Sequence, residues 1–338
     1  MRAVVLESHG GPEVLTLTDV AEPEPGPEEV VVAIVATALN RADLLQRMGI
    51  YPEPGPPRPH EIPGMEFAGR VAALGTRATQ WRVGDEVMAI VSGGAYAERI
   101  ALHERQAMAV PDGVTLADAT AIPEVWITAW DALVVQGGLA PGGTALVHAG
   151  GSGVGSAAIQ LGTALGASVV ATASTAKVAA CRELGAHTVV DYRAGEDFVA
   201  AAREATGGAG VDVVLDVVGG DYLDRNVAAL RTGGTIVQVG VMGGGTTTLN
   251  LAALLPKRAV LRGTVLRARP LEEKVALSRR FAAEVLPWFT SGAVHPVIDR
   301  RYPLERVADA HTYMESNANV GKILLDVASC RLAPKAEL

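Results

Sequence analysis

With 338 residues, the chain is long enough for about two domains. Hydrophobic residues make up 49% and charged residues 20%, which argues against disorder, and the net charge of −8 gives no support to a surface that binds nucleic acid or an anionic membrane. Cys181 and Cys330 form no CxxC motif, so a disulfide framework or a thiolate zinc site lacks its ligands. The apolar stretch at the N-terminus is too short for a signal peptide, and we expect a cytoplasmic protein.

One long stretch carries no charged residue. Neither Asp, Glu, Lys nor Arg occurs between Asp131 and Lys177, which superficially suggests a membrane span. The segments Pro141–Gly143 and Gly150–Gly155 divide this stretch into pieces shorter than the roughly 20 apolar residues that a spanning helix needs. We therefore expect a buried strand with its packed helix, and no membrane insertion.

Residues 1 to about 124 are predicted to form short β-strands joined by turns. Three runs are rich in strand-forming residues: Val30–Ala36, Ala68–Leu74 and Glu86–Val91. Two proline-rich stretches, at 23–27 and 52–63, cannot continue a sheet or a helix and are predicted loops. The loop Tyr51–Gly64 is either a stiff surface connection or a wall beside a functional site.

From about Glu124 the pattern changes to alternating strands and helices. Five short runs have the composition of buried strands: Thr144–His148, Ser168–Thr172, Thr188–Tyr192, Val211–Val217 and Thr235–Gly240. Helical stretches such as Val154–Leu165 and Lys177–Leu184 separate them, which predicts βαβ units and a parallel, doubly wound sheet. Further on, we expect a last strand at Ala259–Leu266 and one long amphipathic helix at Leu271–Thr290. A returning strand at Val320–Val327 and a loose tail from Arg331 are expected to follow.

A glycine-rich turn follows the first of these buried strands. His148–Gly155 reads HAGGSGVG and opens a helix, and it fits the Rossmann fingerprint with serine where the second glycine is usual. Small residues let the backbone approach a pyrophosphate, to which the helix N-terminus offers free N–H groups and a partial positive charge. The predicted contacts are Gly150, Gly151, Ser152, Gly153, Val154 and Gly155, with the Ser152 hydroxyl available to phosphate.

The end of the second buried strand distinguishes between the two nicotinamide cofactors. NAD-binding domains place Asp or Glu there to hold the ribose hydroxyls, whereas this sequence has ASTAK over 173–177. A carboxylate would repel the extra phosphate of NADPH, while Ser174 can donate a hydrogen bond and Lys177 supplies charge. The alternative for Lys177 is an ordinary surface lysine. Tyr192, at the end of the third strand, is expected to flank the same pocket, and we expect NADPH rather than NADH.

The whole pattern resembles the medium-chain dehydrogenase/reductase superfamily. Several segments are similar to its zinc-independent quinone oxidoreductases, and more narrowly to the tumour-suppressor-inducible branch: Ala38–Tyr51, Pro63–Gly69, Ala121–Trp130, His148–Gly155, Gly240–Gly245 and Tyr313–Lys322. The resemblance implies an α/β chain with a GroES-like, β-rich catalytic domain over 1–124 and 267–338. The Rossmann domain, with its doubly wound parallel sheet, would then cover 125–266.

The resemblance also bears on metal binding. Zinc relatives carry cysteine at the position of Asn40 and histidine at that of Met65, and neither an amide nor a thioether is a usual Zn²⁺ ligand. The cysteine-rich structural zinc lobe is absent from the sequence too. We therefore expect no metal. Oxidation of an alcohol needs a group that stabilises an alkoxide, a role that metals often fill, whereas a quinone or an enone delocalises the arriving charge itself.

The same resemblance implies roles for individual residues. Asn40 is expected to donate a hydrogen bond to a developing oxyanion, and Tyr51 to donate one or to stack on a flat ring. The structural alternatives are a strand-end cap for Asn40 and loop packing for Tyr51, and neither is required as a proton donor because water can protonate the product. The implied cofactor contacts are Thr128, Val217, Val239, Met242, Leu266 and Asn317, of which the apolar ones are alternatively core residues. His148, Asp43 and Glu66 are predicted to be structural.

Three functions remain open from the sequence. The first is an NADPH-dependent quinone reductase that transfers a hydride directly, and the second is an enoyl or enone reductase that delivers the same hydride to a β-carbon. The third is a cofactor-binding structural protein, because the resembling family includes the lens zeta-crystallins. We also expect a homodimer, since relatives pair through the strand that matches Ala259–Leu266 and an uncovered sheet edge is otherwise a liability.

Overall fold

The computed structural model describes residues 1–55 and 59–327. The strands among these residues are β1 (Arg2–Leu6), β2 (Leu15–Asp19), β3 (Glu29–Ala38), β4 (Glu66–Leu74), β5 (Glu86–Ile90), β6 (Arg99–His103), β7 (Met108–Ala109), β8 (Thr144–Val147), β9 (Ser168–Ala173), β10 (Thr188–Asp191), β11 (Val211–Asp216), β12 (Leu230–Gln238), β13 (Val260–Gly263), β14 (Ile298–Pro303) and β15 (Lys322–Asp326). The α-helices are α1 (Arg41–Arg47), α2 (Leu116–Ala119), α3 (Pro123–Trp130), α4 (Gly153–Ala164), α5 (Val178–Glu183), α6 (Phe198–Ala205), α7 (Tyr222–Ala229), α8 (Leu251–Lys257), α9 (Leu271–Glu284), α10 (Leu286–Thr290) and α11 (Val307–Glu315). Cys330 and the tail from Arg331 lie outside the described residues.

The chain divides into two compact units. Among the described residues, unit 1 contains Met1–Glu124, Arg267–Gly292 and 298–327, and unit 2 contains Val125–Leu266 and Ala293–Val297. None of the helices in the described ranges has the length and apolar character needed to cross a bilayer. The cytoplasmic location stays a prediction.

Unit 1 is built on a mainly antiparallel sheet. Its strand order is β14-β15-β3-β4-β5-β7, with β6 also paired to β3, and β1 and β2 form a separate antiparallel pair. The long central strand β3 buries side chains such as Val30, Val32 and Ile34 in the core of the unit. The predicted strands in the first 124 residues are confirmed, and so is the returning strand, which spans Lys322–Asp326.

Unit 2 contains a six-stranded sheet with the order β10-β9-β8-β11-β12-β13. Every pair in it is parallel, and this order is the one that characterises a doubly wound Rossmann sheet. Leu146, Val170, Val214 and Ile236 are buried at its centre, as the continuous apolar runs in the sequence predict. The parallel doubly wound sheet is thus confirmed.

Three predicted elements are wrong in extent. The single helix over Leu271–Thr290 is two helices, α9 and α10, because Pro287 has no N–H with which to continue the hydrogen bonding of α9. The strand expected at Ala259–Leu266 is the shorter β13, Val260–Gly263. All of its residues are exposed, whereas an apolar run predicts a buried strand. The helix expected from Lys177 begins at Val178, after a 3₁₀ turn.

Candidate active site

The glycine-rich turn of unit 2 joins β8 to the N-terminus of α4. Ser152 is the N-cap of this helix, and its Oγ accepts a hydrogen bond from Gly155 N at 2.9 Å. Gly150 N donates to Thr172 O at 2.8 Å, which ties the turn to β9. The Ser152 oxygen is therefore engaged in the cap, while its hydrogen remains available to a ligand; the phosphate contact stays a prediction.

The backbone of this turn is closely packed at Gly150 and Gly155. A Cβ on Gly155 would lie 2.2 Å from Ala149 O, and Ala149 itself has the left-handed φ of 54°. A Cβ on Gly150 would lie 3.0 Å from Cys181 Sγ. Gly153 and Val154 form the first turn of α4, where backbone N–H groups are free of intrahelical partners. This narrow cradle at a helix N-terminus fits a pyrophosphate.

Lys177 lies over the same turn. A Cβ on Gly151 would come within 2.6 Å of Lys177 Cδ, so the stem of the half-buried lysine covers this glycine. Ser174 is the N-cap of the 3₁₀ turn that ends at Lys177, and its side chain makes no capping hydrogen bond. Tyr192 N donates to Ala173 O at 3.2 Å, which places Tyr192 at the same edge, with 43% of the residue exposed. These predicted residues therefore gather at the carboxyl ends of β9 and β10.

Sequence reasoning missed a second cation at this edge. Arg193 follows Tyr192, and its guanidinium carbon lies 5.6 Å from the centre of the Tyr192 ring. Its backbone N–H donates to Asp191 Oδ1 at 2.9 Å, so that Asp191 is engaged within its own turn. The signal in the sequence is that Arg193 directly follows Tyr192 at the end of a strand. The charge argument made for Lys177, that a cation there favours the additional phosphate of NADPH, applies to Arg193 as well.

The loops after β11 and β12 run beside each other. Asp216 organises the first loop by accepting hydrogen bonds from Val218 N at 2.6 Å and Gly219 N at 2.9 Å. Met242 N donates to Val217 O at 3.2 Å.

The apolar residues predicted for the cofactor pockets differ in burial. Met242 is 55% exposed and Val217 and Val239 are partly buried, whereas Leu266 is only 5% exposed. Leu266 is therefore a core residue and Met242 is not, and the cofactor contacts expected for these residues stay a prediction.

Two further residues of unit 2 have contrasting environments. The Oγ1 of Thr128 is buried and has no hydrogen-bond partner among the described residues. Such orphaned groups are rare in folded proteins, and a polar ligand would satisfy this one. His148 lies 2.7 Å from Asn226 Oδ1 and 3.2 Å from Thr172 Oγ1, and burial lowers its pKa. The prediction that His148 is a hydrogen-bonded core residue is confirmed.

In unit 1, Asn40 joins the end of β3 to α1. It is the N-cap of this helix, and its backbone N–H donates to Asp43 Oδ2 at 2.8 Å. Its Nδ2 donates to Glu66 Oε1 at 2.9 Å and, at a long 3.4 Å, to Ala38 O. The structural role proposed as the alternative for Asn40 is therefore present, and one of its N–H groups is held only weakly.

A buried lysine completes this arrangement. Lys322 Nζ lies 2.7 Å from Asn40 Oδ1, 2.7 Å from Glu66 Oε1 and 2.6 Å from Leu39 O. The other carboxylate oxygen of Glu66 accepts a hydrogen bond from the backbone N–H of Glu124 at 2.7 Å. The prediction that Glu66 is a structural partner is confirmed, whereas Lys322 and Glu124 were not singled out from the sequence.

Asp43 is the second structural carboxylate of unit 1. Its Oδ2 accepts hydrogen bonds from Asn40 N and from the hydroxyl of Tyr96, and its Oδ1 accepts one from Gly64 N. Burial raises the pKa of Asp43 to about 6, against the lowering effect of these contacts. The contacts to Asn40 and Gly64 join the start of α1 to the end of the proline-rich loop, so the structural prediction for Asp43 is confirmed.

Arg267 holds Tyr51 in place. Its guanidinium donates to Tyr51 O at 3.3 Å, to Ser92 O at 2.6 Å and to Gln46 Oε1 at 2.6 Å. The same group lies 5.2 Å from the centre of the Tyr51 ring, a cation–π geometry. Lys274 is hydrogen-bonded to Ser92 Oγ, and burial lowers its pKa. Burial raises the pKa of Tyr51, so its hydroxyl keeps its proton near neutral pH.

Asn317 follows Ser316, the C-cap residue of α11. Its φ of 55° is left-handed, a conformation that asparagine adopts more readily than most residues. Its Oδ1 accepts a hydrogen bond from Arg41 Nη2 at 2.5 Å. A structural role in unit 1 accounts for both features, and the cofactor contact expected for Asn317 stays a prediction.

Across the described ranges, no group of three or more His, Cys, Asp or Glu side chains is placed to hold a metal ion. Met65, at the position where zinc relatives carry histidine, is only 2% exposed. The metal-free site stays a prediction.

Comparison with known proteins shows the family to which this fold belongs. The model of the alcohol dehydrogenase GroES-like domain matches residues 26–112, and the model of the zinc-binding dehydrogenase matches residues 184–325. The chain belongs to the medium-chain dehydrogenase/reductase superfamily, and it is an oxidoreductase with quinone oxidoreductases among its homologues. The expected family and the GroES-like plus Rossmann fold are confirmed.

Two curated relatives show the range of the family. The quinone oxidoreductase of Pseudomonas aeruginosa is 33% identical, over 96% of this chain and 99% of that protein. The human synaptic vesicle membrane protein VAT-1 homolog is 34% identical, over 96% of this chain and 86% of that protein.

Two solved structures are similar as well. The Escherichia coli quinone oxidoreductase complexed with NADPH has a TM-score of 0.86 and 30% identity, over 96% of this chain and all of that one (100%). The JamJ enoyl reductase has a TM-score of 0.87 and 26% identity, over 97% of this chain and 99% of that one.

Proposed function

We propose that the protein is an NADPH-dependent quinone oxidoreductase that works without a metal ion. The observation that carries the proposal is the environment of Lys322, whose ammonium group is held by Asn40, Glu66 and Leu39 O. A divalent cation beside Asn40 would meet this like charge and would have to displace it from its oxygen partners. An acceptor that delocalises charge, as a quinone does, needs no such Lewis acid.

The cofactor is proposed to bind to unit 2. When bound, NADPH supplies the hydride. The cradle from Gly150 to Gly155 would hold the pyrophosphate, and Ser174, Lys177 and Tyr192 would surround the additional phosphate. The unpartnered hydroxyl of Thr128 would donate to a polar group of the ribose or the nicotinamide. The cradle and the orphaned hydroxyl support this part of the proposal, together with the NADPH in the Escherichia coli relative.

Asn40 and Tyr51 of unit 1 are proposed to bind the acceptor. The weakly held N–H of Asn40 is available to an acceptor oxygen if its 3.4 Å contact with Ala38 O opens. Tyr51 keeps its phenolic proton, and Arg267 fixes its backbone and ring. Tyr51 would thus stack on a flat ring or donate a hydrogen bond to it.

Steady-state oxidation of NADPH tests the proposal. An ortho-quinone, a para-quinone and an α,β-unsaturated ketone are offered in turn, and faster oxidation with a quinone than with the enone is expected. Faster turnover of the enone would favour the second candidate, an enone reductase, which the similarity to the JamJ enoyl reductase supports. If NADPH binds tightly and none of the acceptors oxidises it, the third candidate, a cofactor-binding structural protein, would be favoured.

We also propose that two copies of the chain pair through β13. This strand lies at the edge of the parallel sheet, and its residues are all exposed. Leu261 is 45% exposed, and Leu251 and Leu255 on the preceding helix α8 are 65% and 75% exposed. An apolar edge strand of this kind is a pairing surface, which favours a dimer over a monomer.

A further inference from the structure

Glu124 is a partly buried acid linked through Glu66 to Asn40, which is proposed to bind the acceptor. Its backbone N–H donates to Glu66 Oε2 at 2.7 Å, and the other oxygen of Glu66 accepts from Asn40 Nδ2 at 2.9 Å. Two hydrogen bonds through one carboxylate therefore connect the backbone of Glu124 to the side chain of Asn40. The Oε2 atom of Glu124 is itself buried, and no donor among the described residues hydrogen-bonds to it. When this oxygen carries the carboxyl hydrogen, the oxygen of a ligand would be the acceptor that it lacks.

The charges that surround Glu124 come from several elements of unit 1. Glu66 on β4 and Asp43 on α1 oppose its ionisation, whereas Lys322 on β15 and Arg267 favour it. Lys274 on α9 also interacts with it, because the Glu124 carboxylate raises the pKa of this lysine. The carboxylate likewise raises the pKa of Tyr51. Burial outweighs the cations and raises the pKa of Glu124 to about 8, so the group is protonated at neutral pH.

We propose that the Glu124 carboxyl is the general acid that protonates the oxygen of the acceptor, an inference that rests on the proposed quinone reduction. A hydride delivers one hydrogen with two electrons and leaves a hydroquinone monoanion. The O–H bond of Glu124 then breaks, a new O–H bond forms on the product oxygen, and Glu124 remains as a carboxylate. A proton from water restores the acid, so one NADPH and one proton are consumed for each quinone reduced.

The opposing charges around Glu124 allow it to lose its proton and to take up another. Lys322, Arg267 and Lys274 stabilise the carboxylate once it has formed, and Glu66 and Asp43 drive it to take up the next proton. General acids work best when their pKa lies near the working pH, as it does here. Water need not then supply the proton directly to the acceptor.

The variant Glu124→Gln tests the assignment. We expect kcat with a quinone to fall about 10²-fold, in the usual range for the loss of a general acid. In the wild type, kcat should decrease above about pH 8, tenfold for each pH unit, and this decrease should be absent from the variant. A merely structural role for Glu124 would lower kcat and leave the pH profile unchanged, and that result would overturn the inference.

Four comparisons keep the test decisive. Glu284→Gln, on an exposed part of α9, should retain the wild-type rate and profile, whereas Tyr51→Phe should be slower yet keep the decrease above about pH 8. If Glu124→Gln does not fold, a wild-type kcat that stays constant from pH 7 to 9.5 overturns the inference by itself. If the wild type fails to oxidise NADPH with each of the acceptors offered, the proposed function is overturned as well. The two failures are therefore distinguishable.

Discussion

Lys322 Nζ and Glu66 Oε1 lie 2.7 Å apart, and their side chains are 3% and 0% exposed. Removing one partner of such a buried pair leaves an uncompensated charge, which typically costs about 3–5 kcal/mol. We therefore expect Lys322→Met to lower the free energy of unfolding by about this amount in guanidinium denaturation. The double variant Lys322→Met/Glu66→Gln should recover part of the loss.

An exposed ion pair in unit 1 provides the control. Arg77 and Glu28 lie 3.5 Å apart with side chains 67% and 52% exposed, and surface pairs contribute about 0–1 kcal/mol. Arg77→Ala should therefore have little effect on the free energy of unfolding. If Arg77→Ala and Lys322→Met lower the free energy of unfolding equally, burial does not increase the contribution of the Lys322–Glu66 pair to stability.

The Rossmann sheet of unit 2 could be predicted from the sequence because its strands are continuous apolar runs. Parallel strands are covered on both faces, so their burial is visible in composition alone. Helix α1 could not be found in this way. It buries Asp43, Gln46 and Arg47 as well as Leu44, and a helix whose inward face is polar has no apolar stripe.

The charged groups of unit 1 were hidden for a different reason. Glu66, Glu124, Arg267, Lys274 and Lys322 are spread over more than 250 positions of the chain, and only the tertiary fold brings them together. Each of them taken alone is an ordinary charged residue in the sequence. Asn40 and Tyr51 were proposed because the family resemblance named their positions, whereas no motif pointed to Glu124 or Arg267.

The choice of cofactor can be tested at Lys177. Lys177→Glu would place a negative charge over the turn at Gly151, beside the expected additional phosphate, so the affinity for NADPH should fall at least tenfold more than that for NADH. Fluorescence titrations with both cofactors measure this ratio. Arg182→Glu, an equal charge change on the exposed face of α5, should alter both affinities similarly. Equal losses for the two cofactors in Lys177→Glu would contradict the phosphate role.

The metal-free proposal can be tested by removing metals. Because the ammonium of Lys322 is bound to Asn40 Oδ1 and Glu66 Oε1, dialysis against a strong chelator should leave the quinone reductase activity unchanged. Metal analysis of the dialysed protein serves as the control for complete removal. A loss of activity that added zinc restores would contradict the proposal.

The proposed dimer depends on the exposed edge strand. Leu261→Glu would place a charge in the middle of β13, so an interface built on this strand should dissociate, and sedimentation velocity should detect the monomer. Val83→Glu introduces the same charge at another exposed apolar residue, 62% exposed in unit 1, and should leave the association state unchanged. A dimer that persists in Leu261→Glu would show that the interface is not built on β13.

The ionisation of Glu124 also makes stability depend on pH, independently of catalysis. The pKa is about 8 in the folded protein and near the ordinary 4.5 in the unfolded chain, so between these pH values the folded state holds one proton more. The free energy of unfolding therefore decreases as the pH rises from about 4.5 to about 8.

Glu124→Gln lacks this ionisation. Between pH 5 and 8 its free energy of unfolding should therefore increase by more than about 1 kcal/mol relative to that of the wild type. Guanidinium denaturation at both pH values measures the change, and Glu284→Gln should follow the wild type. A difference that stays constant with pH would mean that Glu124 ionises in the folded protein as an ordinary carboxyl.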